Sequence, residues 1–86
     1  MNLEELKQTY NWIRVEPHHG NDIICGGILP VDVIEAGQRW QETGGGVVTV
    51  TSVRGDIVRY YWLKDGERVH GDKSDFAFQC GYCLIV

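Results

Sequence analysis

A chain of 86 residues has room for one hydrophobic core, and a domain this small buries only about 60–65% of the surface its unfolded chain exposes, so nearly every large apolar side chain must serve that core. Hydrophobic residues at 43% and charged residues at 23% exclude a disordered chain, and no apolar run approaches the roughly 18 residues that would cross a membrane. A net charge of −4 argues against a domain that lives by gripping phosphates, so direct nucleic-acid binding is disfavoured.

Asn2 followed three residues later by Glu5 reads as a capping box, and Leu3, Leu6 and Tyr10 share one helical face, which predicts a short N-terminal helix. Tyr10 to Val15 mixes β-formers with polar residues and predicts a short strand that stops at Glu16-Pro17. His18 to Pro30 reads as loop around a strand fragment, Ile23-Ile24-Cys25. Gly37-Gln38-Arg39-Trp40 opens a strand running to Thr43, Gly44-Gly45-Gly46 turns the chain, and β-branched Val47 to Val53 completes a hairpin.

After the turn Arg54-Gly55-Asp56, the alternation of Val58, Tyr60 and Trp62 against Arg59 and Tyr61 predicts a third antiparallel strand. Asp65-Gly66 turns into a short fourth strand, Glu67 to His70. Lys73 to Phe76 resembles one helical turn, and Tyr82 to Val86 closes the order. The expected fold is mainly β: a small, SH3-like, partly open barrel of five or six antiparallel strands with a short N-terminal helix. Residues 36–86 form its core and residues 1–35 a helix and strand extension of the same domain. Trp40, Val48, Val50, Val58, Tyr60, Trp62 and Phe76 suffice to fill it, which leaves Tyr61 and Trp12 near the surface.

Charge is uneven. Residues 1–45 carry seven acids against three bases, whereas residues 46–86 carry five of each, so the whole deficit lies in the first half. Exposed acids there, with Asp22, Asp32 and Glu35 as candidates, would suit a basic partner surface. Three cysteines are an odd set, and Met1 to Thr9 has neither the basic nor the apolar region of an export signal. Both point to free thiols in a reducing bacterial cytoplasm.

The residues that invite chemistry have plainer explanations. Cys80-Gly81-Tyr82-Cys83 has redox and zinc spacing, but no helix can follow it, as a thioredoxin-type site needs. Zinc would require Cys25 and a histidine from elsewhere, and on one strand Cys80 and Cys83 would point to opposite faces. His18-His19 has no nucleophile or carboxylate assigned to it by spacing and reads as a solvated loop; the glycine clusters continue into no phosphate-binding helix. Asp72 and Asp75 read as turn and cap residues. No catalytic residue, metal ligand or cofactor is therefore assigned.

Gly37-x-x-Trp40, Gly46-Val47-Val48-Thr49-Val50, Val53-x-Gly55-Asp56-x-Val58-x-Tyr60, Phe76 and the terminal apolar run together resemble small uncharacterised proteins encoded by enterobacterial phages and prophages, and the wider group of SH3-like or Tudor-like barrels. The resemblance covers roughly the last 50 residues. It implies a mobile-element origin, where short acidic proteins are often inhibitors of host defence. The expected function is a non-catalytic protein-binding module. Its partner would be a host protein or protein–nucleic acid complex with a basic surface, as for an anti-CRISPR-type inhibitor, contacted through Asp22, Asp32, Glu35 and Tyr61. The alternative is a nucleic-acid accessory module using Arg54, Arg59, Lys64 and Arg68 with Tyr61. The exposed edge of an open barrel would also let two chains pair as a homodimer.

Overall fold

The computed structural model describes residues 2–86. Helix α1 spans Leu3–Thr9, and Asn2 caps it: its side-chain oxygen accepts the Glu5 N–H at 2.9 Å, while its amide donates to the Glu5 carboxylate at 3.2 Å. Leu6 is buried and Leu3 and Tyr10 pack against the core, which is the apolar face their spacing requires. Seven strands follow: β1 Arg14–His18, β2 Asn21–Cys25, β3 Arg39–Glu42, β4 Val47–Arg54, β5 Ile57–Lys64, β6 Glu67–Ser74 and β7 Tyr82–Leu84. A 3₁₀ turn at Val31–Val33 lies between β2 and β3, and helix α2, Asp75–Gly81, lies between β6 and β7.

The strands form two antiparallel sheets, a β1–β2 hairpin and a five-stranded sheet ordered β6-β5-β4-β3-β7. The last strand returns to pair with the first strand of that sheet, with Trp40 opposite Leu84 and Gln41 opposite Cys83. A register shift in β4 between Val50 and Ser52 inserts Thr51 as a bulge against β5, the device by which a long strand bends into both halves of a barrel. The sheet does not close, and the pairing of its last strand with its first is compatible with a partly open barrel. The β1–β2 hairpin joins the β7 edge through one bridge, Ile23 with Ile85, and through the Val86 N–H, which donates to the Asp22 carbonyl at 2.9 Å.

An aromatic group fills the barrel. Phe78 meets Trp40 edge-on at 5.1 Å between ring centres, stacks on Tyr82 at 5.0 Å and tilts against Tyr60 at 5.2 Å. Leu6, Ile24, Leu29, Val48, Val50 and Val58 complete the packing. On β6, Gly71 lies directly opposite Tyr60, and a Cβ there would stand 2.9 Å from the phenol ring, so the absent side chain is what lets Tyr60 lie flat across the sheet.

Several local expectations differ from the fold. The first strand starts at Arg14, four residues later than Tyr10, and runs through Glu16-Pro17 to His18; Pro17 is tolerated because β1 is an edge strand. β6 runs on to Ser74, four residues beyond His70, because β5 offers a matching register along its whole length. The helical turn begins after Lys73: Ser74 Oγ caps it by accepting the Ala77 N–H at 3.3 Å. Phe76 and Phe78 then lie about 200° apart around α2, so only one can face inward. Phe78 does, fully buried, and Phe76 is 64% exposed.

Candidate interaction surface

Strand alternation sets the composition of the barrel's outer face. Val48, Val50, Val58 and Tyr60 point inward and are buried, so their neighbours point out. The cross-strand register then aligns Arg39, Thr49, Tyr61 and His70 in one row across β3, β4, β5 and β6. Leu63 and Arg68 form the adjacent pair, and Arg59 with Asp72 the pair on the other side.

Tyr61 is the centre of this face. The Arg68 guanidinium lies over its ring at 4.3 Å from the centroid, and the His70 ring stands 6.0 Å away at a tilt. Arg59 approaches Asp72 at 3.6 Å, but both side chains are more than half exposed, so this pair contributes little to stability. Leu63, two residues on from Tyr61 and opposite Arg68, is 66% exposed. Two shallow grooves of about 300 and 270 Å³ meet along Trp62 and Leu63, one running toward Glu42 and Tyr82 and the other toward Arg39, Thr49 and Tyr61. The face is thus apolar and aromatic at its centre and cationic around it, on a chain whose net charge is negative.

The acids lie elsewhere. Asp22 is exposed on β2, and Asp32 and Glu35 are exposed in and just after the 3₁₀ turn. In strand order β2 is separated from β5 by β7, β3 and β4, so the strand pairing does not set Asp22 beside Tyr61. Of the cationic alternative set, Arg59 and Arg68 share the Tyr61 face, while Arg54 ends β4 and Lys64 ends β5. Trp12 is 42% exposed and its ring lies against Gly27, apart from this surface.

His18 is better anchored than a solvated loop residue. Its Nε2 lies 3.0 Å from the Thr43 carbonyl, which can only accept, so Nε2 carries the proton and ties the β1–β2 hairpin to the β3–β4 turn. His19 packs edge-on against it at 4.4 Å. In that same turn region, buried Gln41 donates to the Gly45 carbonyl at 3.2 Å, while its Oε1 finds no partner among the described residues.

Cys80 is exposed at the end of α2, whereas Cys25 and Cys83 are half-buried on β2 and β7 and line one cleft of about 210 Å³. Burial, followed by the nearby Cys83, pushes the Cys25 thiol up. Sequence spacing drew attention to Cys80 with Cys83; the pair that meets is Cys25 with Cys83, a long-range relationship that only strand register reveals. No three His, Cys, Asp or Glu side chains converge as a metal would need among the described residues, and no helix among them is long and apolar enough to cross a membrane. No protein-family model, curated protein or solved structure matches the chain.

Proposed function

We propose that this chain is a non-catalytic protein-binding module that docks a larger partner through the outer face of β3 to β6, with Tyr61 as the central anchor. The observation that carries this reading is the Arg68 guanidinium stacked on Tyr61 beside the exposed Leu63. Tyrosine and arginine are the residues over-represented where binding energy concentrates, and the stacking holds both in a defined geometry before a partner arrives. The exposed acids Asp22, Asp32 and Glu35 support a second, electrostatic element directed at a basic region of the same partner. The resemblance to phage-encoded proteins supports narrowing that partner to a host defence or nuclease complex, with this chain as its inhibitor.

The cationic rim around Tyr61 favours one other reading, a single-stranded nucleic acid whose bases stack on Tyr61 while Arg39, Arg59 and Arg68 meet its phosphates. Affinity capture from bacterial lysate, run with and without nuclease treatment, distinguishes the two. A stoichiometric protein retained by the wild-type chain and lost with Tyr61→Ala supports the protein-binding module. Nucleic acid recovered alone, and abolished by nuclease, overturns it.

A further inference from the structure

The seam between the hairpin and the barrel carries two cysteines, Cys25 on β2 and Cys83 on β7, whose side chains meet in one cleft. Ile23 bridges Ile85, and the Val86 N–H bonds to the Asp22 carbonyl. Continuing this register inward sets Cys25 opposite Cys83. Extended two residues inward from that isolated bridge, strict alternation would make Cys25 with Cys83 a non-hydrogen-bonded pair, the kind whose Cα atoms approach to about 4.5 Å, and the two side chains lie within hydrogen-bonding reach of each other. That spacing falls inside the range a disulfide spans. Both side chains line the same cleft between β2 and β7, while Cys80 lies exposed at the end of α2.

We propose that Cys25 and Cys83 form a disulfide site, closed by a small-molecule disulfide, that locks the β1–β2 hairpin onto the barrel. One cysteine thiolate attacks the small-molecule disulfide, forming a mixed disulfide and releasing one thiol. The facing cysteine, on losing its proton, attacks the protein sulfur of that mixed disulfide and expels the second thiol. Two protein thiols and one disulfide become one protein disulfide and two small thiols, so atoms and electrons balance. The bond would close the long stretch of chain from residue 26 to residue 82 and constrain the unfolded state accordingly. It would also fasten a hairpin whose backbone joins the sheet at a single bridge.

The test uses the full reduced chain incubated with oxidised glutathione, followed by unreduced peptide mapping. Three free thiols should fall to one, with peptides containing Cys25 and Cys83 linked within one chain. The thermal midpoint should rise by roughly 10 °C and return on addition of dithiothreitol. Cys80→Ser should leave that linkage and the rise unchanged. A Cys80–Cys83 link, a bond between chains, or glutathione adducts that persist on Cys25 or Cys83 without ring closure would each overturn the proposal. Mapping is done on the wild-type chain, so the result does not depend on any cysteine variant folding.

Discussion

The side-chain amide of Gln79 closes on the backbone of Leu29 from both sides, accepting the Leu29 N–H at 2.8 Å and donating to the Leu29 carbonyl at 2.7 Å. Helix α2 thereby holds the segment between β2 and the 3₁₀ turn in place of a strand partner, and Leu29 is pressed into the core beneath it. Replacing Gln79 with Ala leaves two backbone groups in a partly buried setting without partners. We expect a loss of about 2–3 kcal/mol, measured as a lower urea midpoint at unchanged denaturant slope.

Phe78 and Phe76 should behave as opposites although only Ala77 separates them. Phe78→Ala empties the centre of the aromatic group and should cost about 3–5 kcal/mol. Phe76→Ala touches an exposed ring and should stay within about 0.5 kcal/mol. Equilibrium denaturation of the two variants side by side checks the orientation of α2.

Gly71→Ala should destabilise by about 1–3 kcal/mol, because the new methyl meets the Tyr60 ring and that ring is held by Trp62, Phe78 and Tyr82. A reduced near-ultraviolet circular dichroism signal should accompany the loss as the aromatic group loosens.

Alkaline pH should unfold the barrel through its phenols. Burial first, then nearby Tyr82 and Asp72, raises the Tyr60 hydroxyl above its ordinary value; burial, then Glu42, raises Tyr82 likewise. Folding therefore favours the protonated phenols. Their contribution is full below about pH 10, the unfolded value, and is lost as pH rises through the higher folded values. Cys25, also raised, adds a loss of the same sign from about pH 9. Denaturation midpoints between pH 8 and 11 should fall, and Tyr60→Phe should flatten the part of the fall above pH 10.

The strands from Trp40 to Lys64 were legible because each local signal agreed with its neighbours: β-branched runs, alternating burial and glycine turns all indicated the same hairpins. Tyr61 was placed at the surface for the same reason. What the sequence reading missed was one local choice of cap and several relationships set by long-range pairing. The capping choice at Ser74 rotates α2 and exchanges Phe76 for Phe78 inside. The return of the C-terminus to β2 sets Cys25 against Cys83, and the diagonal across β5 and β6 sets Arg68 over Tyr61. Pro17 marked a strand end in the local reading, yet at a sheet edge its missing N–H costs nothing.

The most direct test of the central claim is amide chemical-shift mapping of the labelled chain as the captured partner is titrated in, with Tyr61→Ala as the matched variant. Perturbations should centre on Thr49, Tyr61, Leu63, Arg68 and His70, and binding should weaken by roughly 30-fold in the variant, corresponding to an anchor contribution of about 2 kcal/mol. A partner that leaves this row unperturbed and binds Tyr61→Ala as tightly as the wild-type chain would contradict it.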